Sequence, residues 1–255
     1  MSGVAGKITL ACVDLAGTTV ADMGTVETAF AEAIALLGVV SGTGAHERAM
    51  ARIRESRGRP KIDIFREVFP GDEARAQTAN LAFERSYDAV IDRVGLRPVP
   101  GAECAIDKLT GSGVRVCLMT GFSRATLGRI IDTLGWWRRV DLAMCPADVA
   151  RGRPWPDLVL TAALRLGVED VRHIAVCGDT DSDMRCGRRA GASIVAGVRT
   201  GAHDPQRLRA AGATHIIDSV ADLPDLVLDP TAASSATAAD GTIGAAAGSP
   251  AGAPG

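Results

Sequence analysis

Two hydrophobic rhythms alternate along most of the chain. Short apolar runs recur at KITLACVD (7–14), VRVCLMT (114–120), LAMC (142–145), HIAVCGD (173–179), ASIVAGV (192–198) and THII (214–217). Each is four to eight residues long and apolar without a polar face, the pattern of a strand buried on both sides of a parallel sheet. Between them, apolar residues recur every three or four positions. SRATLGRIIDTLG (123–135) puts Leu127, Ile130, Ile131 and Leu134 on one helical face and closes at Gly135. DPQRLRAAG (204–212) carries an Asp cap, a proline in the first turn and a closing glycine, the usual asymmetry of helix ends. Strand and helix in turn predict a parallel sheet with crossover helices.

One long stretch breaks the alternation. From 22 to 97 no run has the character of a strand, whereas Val26, Phe30, Ala33, Ile34 and Leu37 repeat at helical spacing. So do Ile62, Phe65 and Phe69, and then Leu81, Ala82, Tyr87, Ala89 and Ile91. The expected fold class is therefore α/β, a Rossmann-like parallel sheet core with an inserted α-helical cap domain. The core is expected at 1–21 and 98–229, and the cap at 22–97. From 230 to 255 the sequence is rich in Ala, Gly, Ser, Thr and Pro and almost free of large apolar residues. Such a segment buries too little surface to offset the entropy of ordering it, so a disordered tail is expected there.

Composition narrows the partners. The formal net charge is −2 in 255 residues, which gives no electrostatic footprint for nucleic acid or an anionic membrane. No run of about 18 apolar residues suggests a membrane span, and no long apolar stretch precedes Asp14, so secretion is not expected. The six cysteines make no C-x-x-C pair and no zinc spacing. They are expected as reduced, packed thiols of a cytoplasmic protein. His173 and His215 open strand-like runs and read as structural. The tandem Trp136–Trp137 reads as core or partly exposed packing.

Candidate chemistry gathers at the carboxyl ends of the apolar runs, where open parallel sheets build their sites. Asp14 ends the first run, Thr120 and Gly121 end the second, and Asp179 follows the fourth with Asp181 and Asp183 close behind. Arg153, in RGRPWP, stands just before another helix. Taken singly, a strand-ending Asp is as often a cap or turn residue, and GDTDSD could be a solvated acidic turn. Lys61, in SRGRPKIDIF (56–65), is one of only three lysines beside 25 arginines. It could be an exposed lysine at a helix start, or an amine whose pKa is lowered by a nearby cation and partial desolvation.

In this order and spacing the set resembles the haloacid dehalogenase superfamily of phosphoryl-transfer hydrolases, over residues 7 to about 228. That resemblance implies Asp14 as the nucleophile forming an aspartyl-phosphate. It implies Thr120, Gly121 and Arg153 as phosphoryl-binding groups, and a Mg²⁺ ion held by Asp14, the backbone carbonyl of Ala16, Asp179 and Asp183. Typical members carry a general-acid aspartate where this chain has Ala16. Without it, ester cleavage should lose a factor of about 10²–10⁴.

Four motifs make the resemblance narrower: DLAGTT, GRPKID, GRPWP and GDTDSDM are similar to those of phosphonoacetaldehyde hydrolase (phosphonatase) and its phosphonatase-like relatives. In that branch a cap lysine, here Lys61, forms a Schiff base with the aldehyde, and the leaving group is carbon. No alkoxide needs a proton, so Ala16 is no loss. The implied substrate is a small-molecule phosphonate, phosphonoacetaldehyde or a related 2-oxoalkylphosphonate. The implied assembly is a homodimer through the cap. One departure is Ile64, at the place where the family's cap has a histidine. A phosphatase of the same fold acting on a small phosphate ester, and a non-catalytic binding protein on this fold, stay open as alternatives.

Overall fold

The computed structural model describes residues 7–229; the segment expected to be a disordered tail lies outside them. Six strands form one parallel sheet: β1 (Leu10–Asp14), β2 (Arg115–Met119), β3 (Leu142–Met144), β4 (Ile174–Gly178), β5 (Ile194–Val198) and β6 (His215–Ile217), in the order β3-β2-β1-β4-β5-β6. All five pairings are parallel. The order reverses at β1, whose neighbours are β2 on one side and β4 on the other. A crevice therefore opens at the carboxyl ends of β1 and β4.

Strand alternation splits the core into two layers. Ala11, Val13, Val116, Leu118, Ala175, Cys177, Ala196 and Val198 face one cluster. It is shared with α5 (Ala102–Gly111), α6 (Arg124–Leu134) and α10 (Leu223–Leu228) through Ile106, Leu109, Leu127, Ile130, Ile131 and Leu226. Leu10, Cys12, Cys117, Met119, Ile174, Val176 and Val195 face the other. There they meet α7 (Asp157–Arg165), α8 (Asp181–Ala190) and α9 (Pro205–Ala210) through Leu158, Val159, Cys186 and Leu208. The Asp cap expected for α9 is in place, Asp204 accepting from the Arg207 N–H, and α6 is capped as well, Ser123 Oγ accepting from the Thr126 N–H.

Between β1 and α5 the chain is helical. It runs α1 (Thr25–Leu36), α2 (Gly44–Glu55), α3 (Lys61–Val68) and α4 (Glu73–Val94). It leaves and returns through two adjacent segments: the Ala21 N–H donates to the Arg97 carbonyl at 2.9 Å, and the Val99 N–H to the Thr19 carbonyl at 2.9 Å. The insert is built on aromatic rings. Phe30 of α1 lies 5.2 Å from Phe65 of α3 and 4.5 Å from Phe83 of α4, while Tyr87 lies 4.7 Å from Phe122, which follows β2.

Some expectations need correction. Leu81 and Ala89 do not face the core; both are exposed. The buried stripe of α4 runs through Ala76, Ala79, Phe83, Tyr87 and Val90, and a residue two places from Ala79 or Phe83 falls on the opposite side of a 3.6-residue helix. Trp136 and Trp137 divide: the first is fully buried and donates to Glu103 at 2.7 Å, and the second is half exposed. Five cysteines are buried thiols as expected, but Cys104 is exposed.

Candidate active site

The loop after β1 folds back on itself. The N–H groups of Thr19 and Val20 reach the Leu15 carbonyl at 2.9 and 2.7 Å, and the Gly17 N–H reaches that of Val20 at 2.7 Å. Gly17 has φ +92°, and a Cβ there would stand 2.4 Å from Asp179 Oδ2. Only glycine lets this loop both turn and lie against Asp179. The result brings Asp14, Ala16 and Asp179 together although 165 residues separate the first and last in sequence.

Asp14, Asp179 and Asp183 are all buried, and one carboxylate oxygen from each lies within 4.8 Å of the others. Asp179 is fixed by the Ala202 N–H at 2.7 Å and the Thr18 hydroxyl at 3.3 Å. Asp183 is held by a capping box at the start of α8, its Oδ2 accepting from the Thr180 N–H at 3.1 Å. Arg153 is buried among them. Its Nη1 donates to Asp14 Oδ1 at 2.5 Å and also to Asp183 Oδ1, while its Nε has no partner among the described residues. Thr120 closes β2, its hydroxyl accepting from the Phe122 N–H at 3.2 Å.

One guanidinium does not balance three carboxylates. Burial pushes Asp14 up to about 8 against the pull of Arg153, with Asp183 and Asp179 adding to the rise. Burial and the neighbouring Asp183 push Asp179 up to about 6. A buried, all-oxygen, charge-deficient donor set of this kind suits a hard divalent cation such as Mg²⁺.

The insert contributes the other wall. Lys61 is the first residue of α3 and shares a pocket with Asp14, Ala16, Thr120, Gly121 and Arg153. Its Nζ stands 4.5 Å from the ring centre of Phe122 and 5.9 Å from those of Phe30 and Phe83. Burial, and then the guanidinium groups of Arg153 and Arg57, bring the amine down to about 7 against the pull of Asp14 and Asp22. The positive end of α3 acts in the same direction.

The seam between insert and sheet is tight. A Cβ on Gly121 would lie 2.4 Å from the Arg59 carbonyl oxygen, and one on Gly58 would lie 2.2 Å from Thr180 Oγ1. The free volume inside is about 20 Å³, room for about one water.

Every site residue expected from sequence thus lies in or beside one pocket. Ile64 does not: it is fully buried in the apolar core of the insert. No histidine lines the pocket. Sequence reasoning missed Arg57, Phe30 and Phe122. Arg57 pairs with Asp22 and stands in the same SRGRPK run as Lys61, and that shared run was the available signal. His203 was also missed. It is buried and accepts from the Asp181 N–H at 3.0 Å.

Residues 8–191 match the haloacid dehalogenase-like hydrolase family. A phosphonoacetaldehyde hydrolase of Nitratidesulfovibrio vulgaris is 30% identical over 258 residues, covering 85% of this chain and 89% of that protein. Among solved structures, a phosphonoacetaldehyde hydrolase-like protein of Oleispira antarctica superposes with a TM-score of 0.75 at 25% identity, covering 88% and 93% of the two chains. A hydrolase of Pseudomonas syringae, at 23% identity and a TM-score of 0.73 over 84% of this chain and 95% of that one, shares the fold. The chain belongs to the haloacid dehalogenase-like hydrolases, in the branch that holds the phosphonoacetaldehyde hydrolases.

Proposed function

We propose that this hydrolase cleaves the carbon–phosphorus bond of phosphonoacetaldehyde or a closely related 2-oxoalkylphosphonate. The observation that carries this is the Lys61 amine, depressed to about 7 in an aromatic cage, in one pocket with a strand-ending aspartate and with Ala16 where an ester hydrolase needs an acid. The names of the relatives support the same substrate class.

On this reading the helical insert is a cap. The neutral Lys61 amine attacks the carbonyl carbon, and loss of water gives an iminium. Asp14 then attacks phosphorus. The C–P bond breaks, and its electron pair passes to carbon and neutralises the iminium as an enamine. Protonation of the enamine carbon and hydrolysis of the imine release the aldehyde and free Lys61; water hydrolyses the aspartyl-phosphate to phosphate. Thr120, the Gly121 N–H and Arg153 seat the phosphoryl oxygens. Asp14, Asp179, Asp183 and the Ala16 carbonyl would hold Mg²⁺, which when bound supplies the positive charge that lets a carboxylate approach a phosphoryl dianion. The aromatic cage excludes water, and this burial lowers the pKa of the amine to about 7, so that a large share of it is neutral near that pH.

The decisive experiment is phosphate release from phosphonoacetaldehyde and from a panel of small phosphate esters, with borohydride trapping in parallel. The expected result is phosphate from the phosphonate and a reduced two-carbon adduct on Lys61. A wide preference for esters, with no adduct, would overturn the proposal in favour of a phosphatase.

A further inference from the structure

A second cavity, of about 620 Å³, opens on the outer side of the seam and shares no lining residue with the catalytic pocket. Its volume is in the range of small-molecule sites. One wall is the insert, with Arg52, Glu55, Arg59 and Glu67; the other is α8 and α9, with Asp181, Arg185, Arg189 and Arg207.

The two walls differ in charge. On the insert wall each arginine has a carboxylate, Arg52 with Glu55 at 3.5 Å and Arg59 with Glu67 at 2.6 Å. On the sheet wall a single carboxylate, Asp181, is divided between Arg185 at 3.3 Å and Arg207 at 3.0 Å. Arg189 meets no carboxylate among the described residues. It donates to the Pro154 carbonyl at 2.9 Å and lies 4.7 Å from the ring centre of Trp155. Three guanidinium groups thus face one carboxylate on that wall of an open, concave cleft. Guanidinium forks match phosphoryl oxygens in geometry as well as charge.

The position matters as much as the charge. Asp181 and Ser182 stand between Asp179 and Asp183, Pro154 follows Arg153, and Arg59 precedes Lys61 by two residues. The walls are already tied where Arg207 Nη2 donates to the Glu55 carbonyl at 2.8 Å. Any ligand filling the cavity would touch both sides of the seam.

We propose that this cleft is a binding site for a small phosphorylated anion, seated on Arg185, Arg189 and Arg207, and that its occupant holds the insert against the sheet. The site does not depend on which bond the catalytic pocket hydrolyses. The test uses the full chain and inorganic pyrophosphate in metal-free buffer, followed by calorimetry and by Trp155 fluorescence. Binding is expected with a Kd below about 1 mM at low salt, weakening as salt rises. It should weaken at least about tenfold in the double variant Arg185→Gln/Arg189→Gln, the loss of two charge-assisted contacts. Trp155→Phe should abolish the optical signal and keep the heat. Saturating pyrophosphate should slow wild-type turnover at saturating Mg²⁺ and leave the double variant unaffected. No binding up to about 10 mM, or equal affinity in the double variant, would overturn the proposal, the second by placing the anion elsewhere.

Discussion

Lys61 and Asp14 divide the proposed chemistry, so their variants should fail differently. Asp14→Asn removes the nucleophile and should lower phosphate release by at least about 10⁴-fold, while borohydride still traps substrate on Lys61. Lys61→Arg keeps a positive charge but cannot form an imine. It should lose C–P cleavage by about 10³-fold or more with no adduct, and near wild-type phosphate release would refute the electron-sink role. The pH dependence has a definite sign. Only the neutral amine attacks, and the Lys61 ammonium titrates at about 7 rather than at the ordinary 10.5. Trapping should therefore rise as pH increases through about 7 and level off above it. Arg57→Met removes one of the cations that depress the amine, so it should move that midpoint upward. A trapping profile still rising toward pH 10 in wild type would show an ordinary lysine. Ala16→Asp should leave C–P cleavage no faster and raise ester hydrolysis by about 10²-fold, the size of a restored general acid.

At the scale of elements, Gly121 and Gly58 are where the helical insert and the sheet meet. Gly121→Ala would put a methyl group 2.4 Å from the Arg59 carbonyl oxygen, holding the insert away from Asp14. Its kcat/KM should fall by about 10²-fold, the cost of misplacing a catalytic group by about 1 Å. The melting temperature should change little, because the sheet beneath is untouched. An unimpaired Gly121→Ala enzyme would show that the seam does not close during turnover. The same elements show what the sequence disclosed. Asp14, Thr120 and Asp179 were legible because each ends an apolar run, and a parallel sheet gathers such ends at one edge. The insert was legible as helical from the spacing of Phe30, Phe65 and Phe69. Its exposed face was not, because Leu81 and Ala89 are as apolar as their buried neighbours and only packing decides between them. Arg57, Phe30 and Phe122 became site residues through an approach between segments far apart in sequence. His203 stands in no strand or motif, and only the folded chain brings its ring to the Asp181 N–H it accepts from.

For the whole molecule, charge at the crevice sets a coupling between metal and stability. Among the described residues Arg153 pairs with Asp14 and Asp183, and Asp179 has no ion pair, so a divalent cation that binds them in the folded state alone should stabilise the protein. At 100 times its Kd the gain is about 2.7 kcal/mol. Mg²⁺ should therefore raise the melting temperature of wild type by several degrees and leave Asp179→Ala unmoved. A chelator should stop phosphate release reversibly. Equal melting temperatures with and without Mg²⁺ would remove the metal from this site.

The pocket between Asp14 and Lys61 has room for about one water, and its two reacting groups belong to opposite sides of a seam. On the proposed reading, an open molecule therefore has a nucleophile without an electron sink, and a sink without a nucleophile. Only a molecule long enough to reach both, and short enough to be enclosed, completes the catalyst. A phosphate ester without a carbonyl can meet Asp14, yet it gives Lys61 nothing to condense with and finds no acid at Ala16. The gap between the two halves then works as a two-key lock. It spares such esters without a binding site devoted to rejecting them, at the cost of one opening for each substrate that enters and one for each product that leaves.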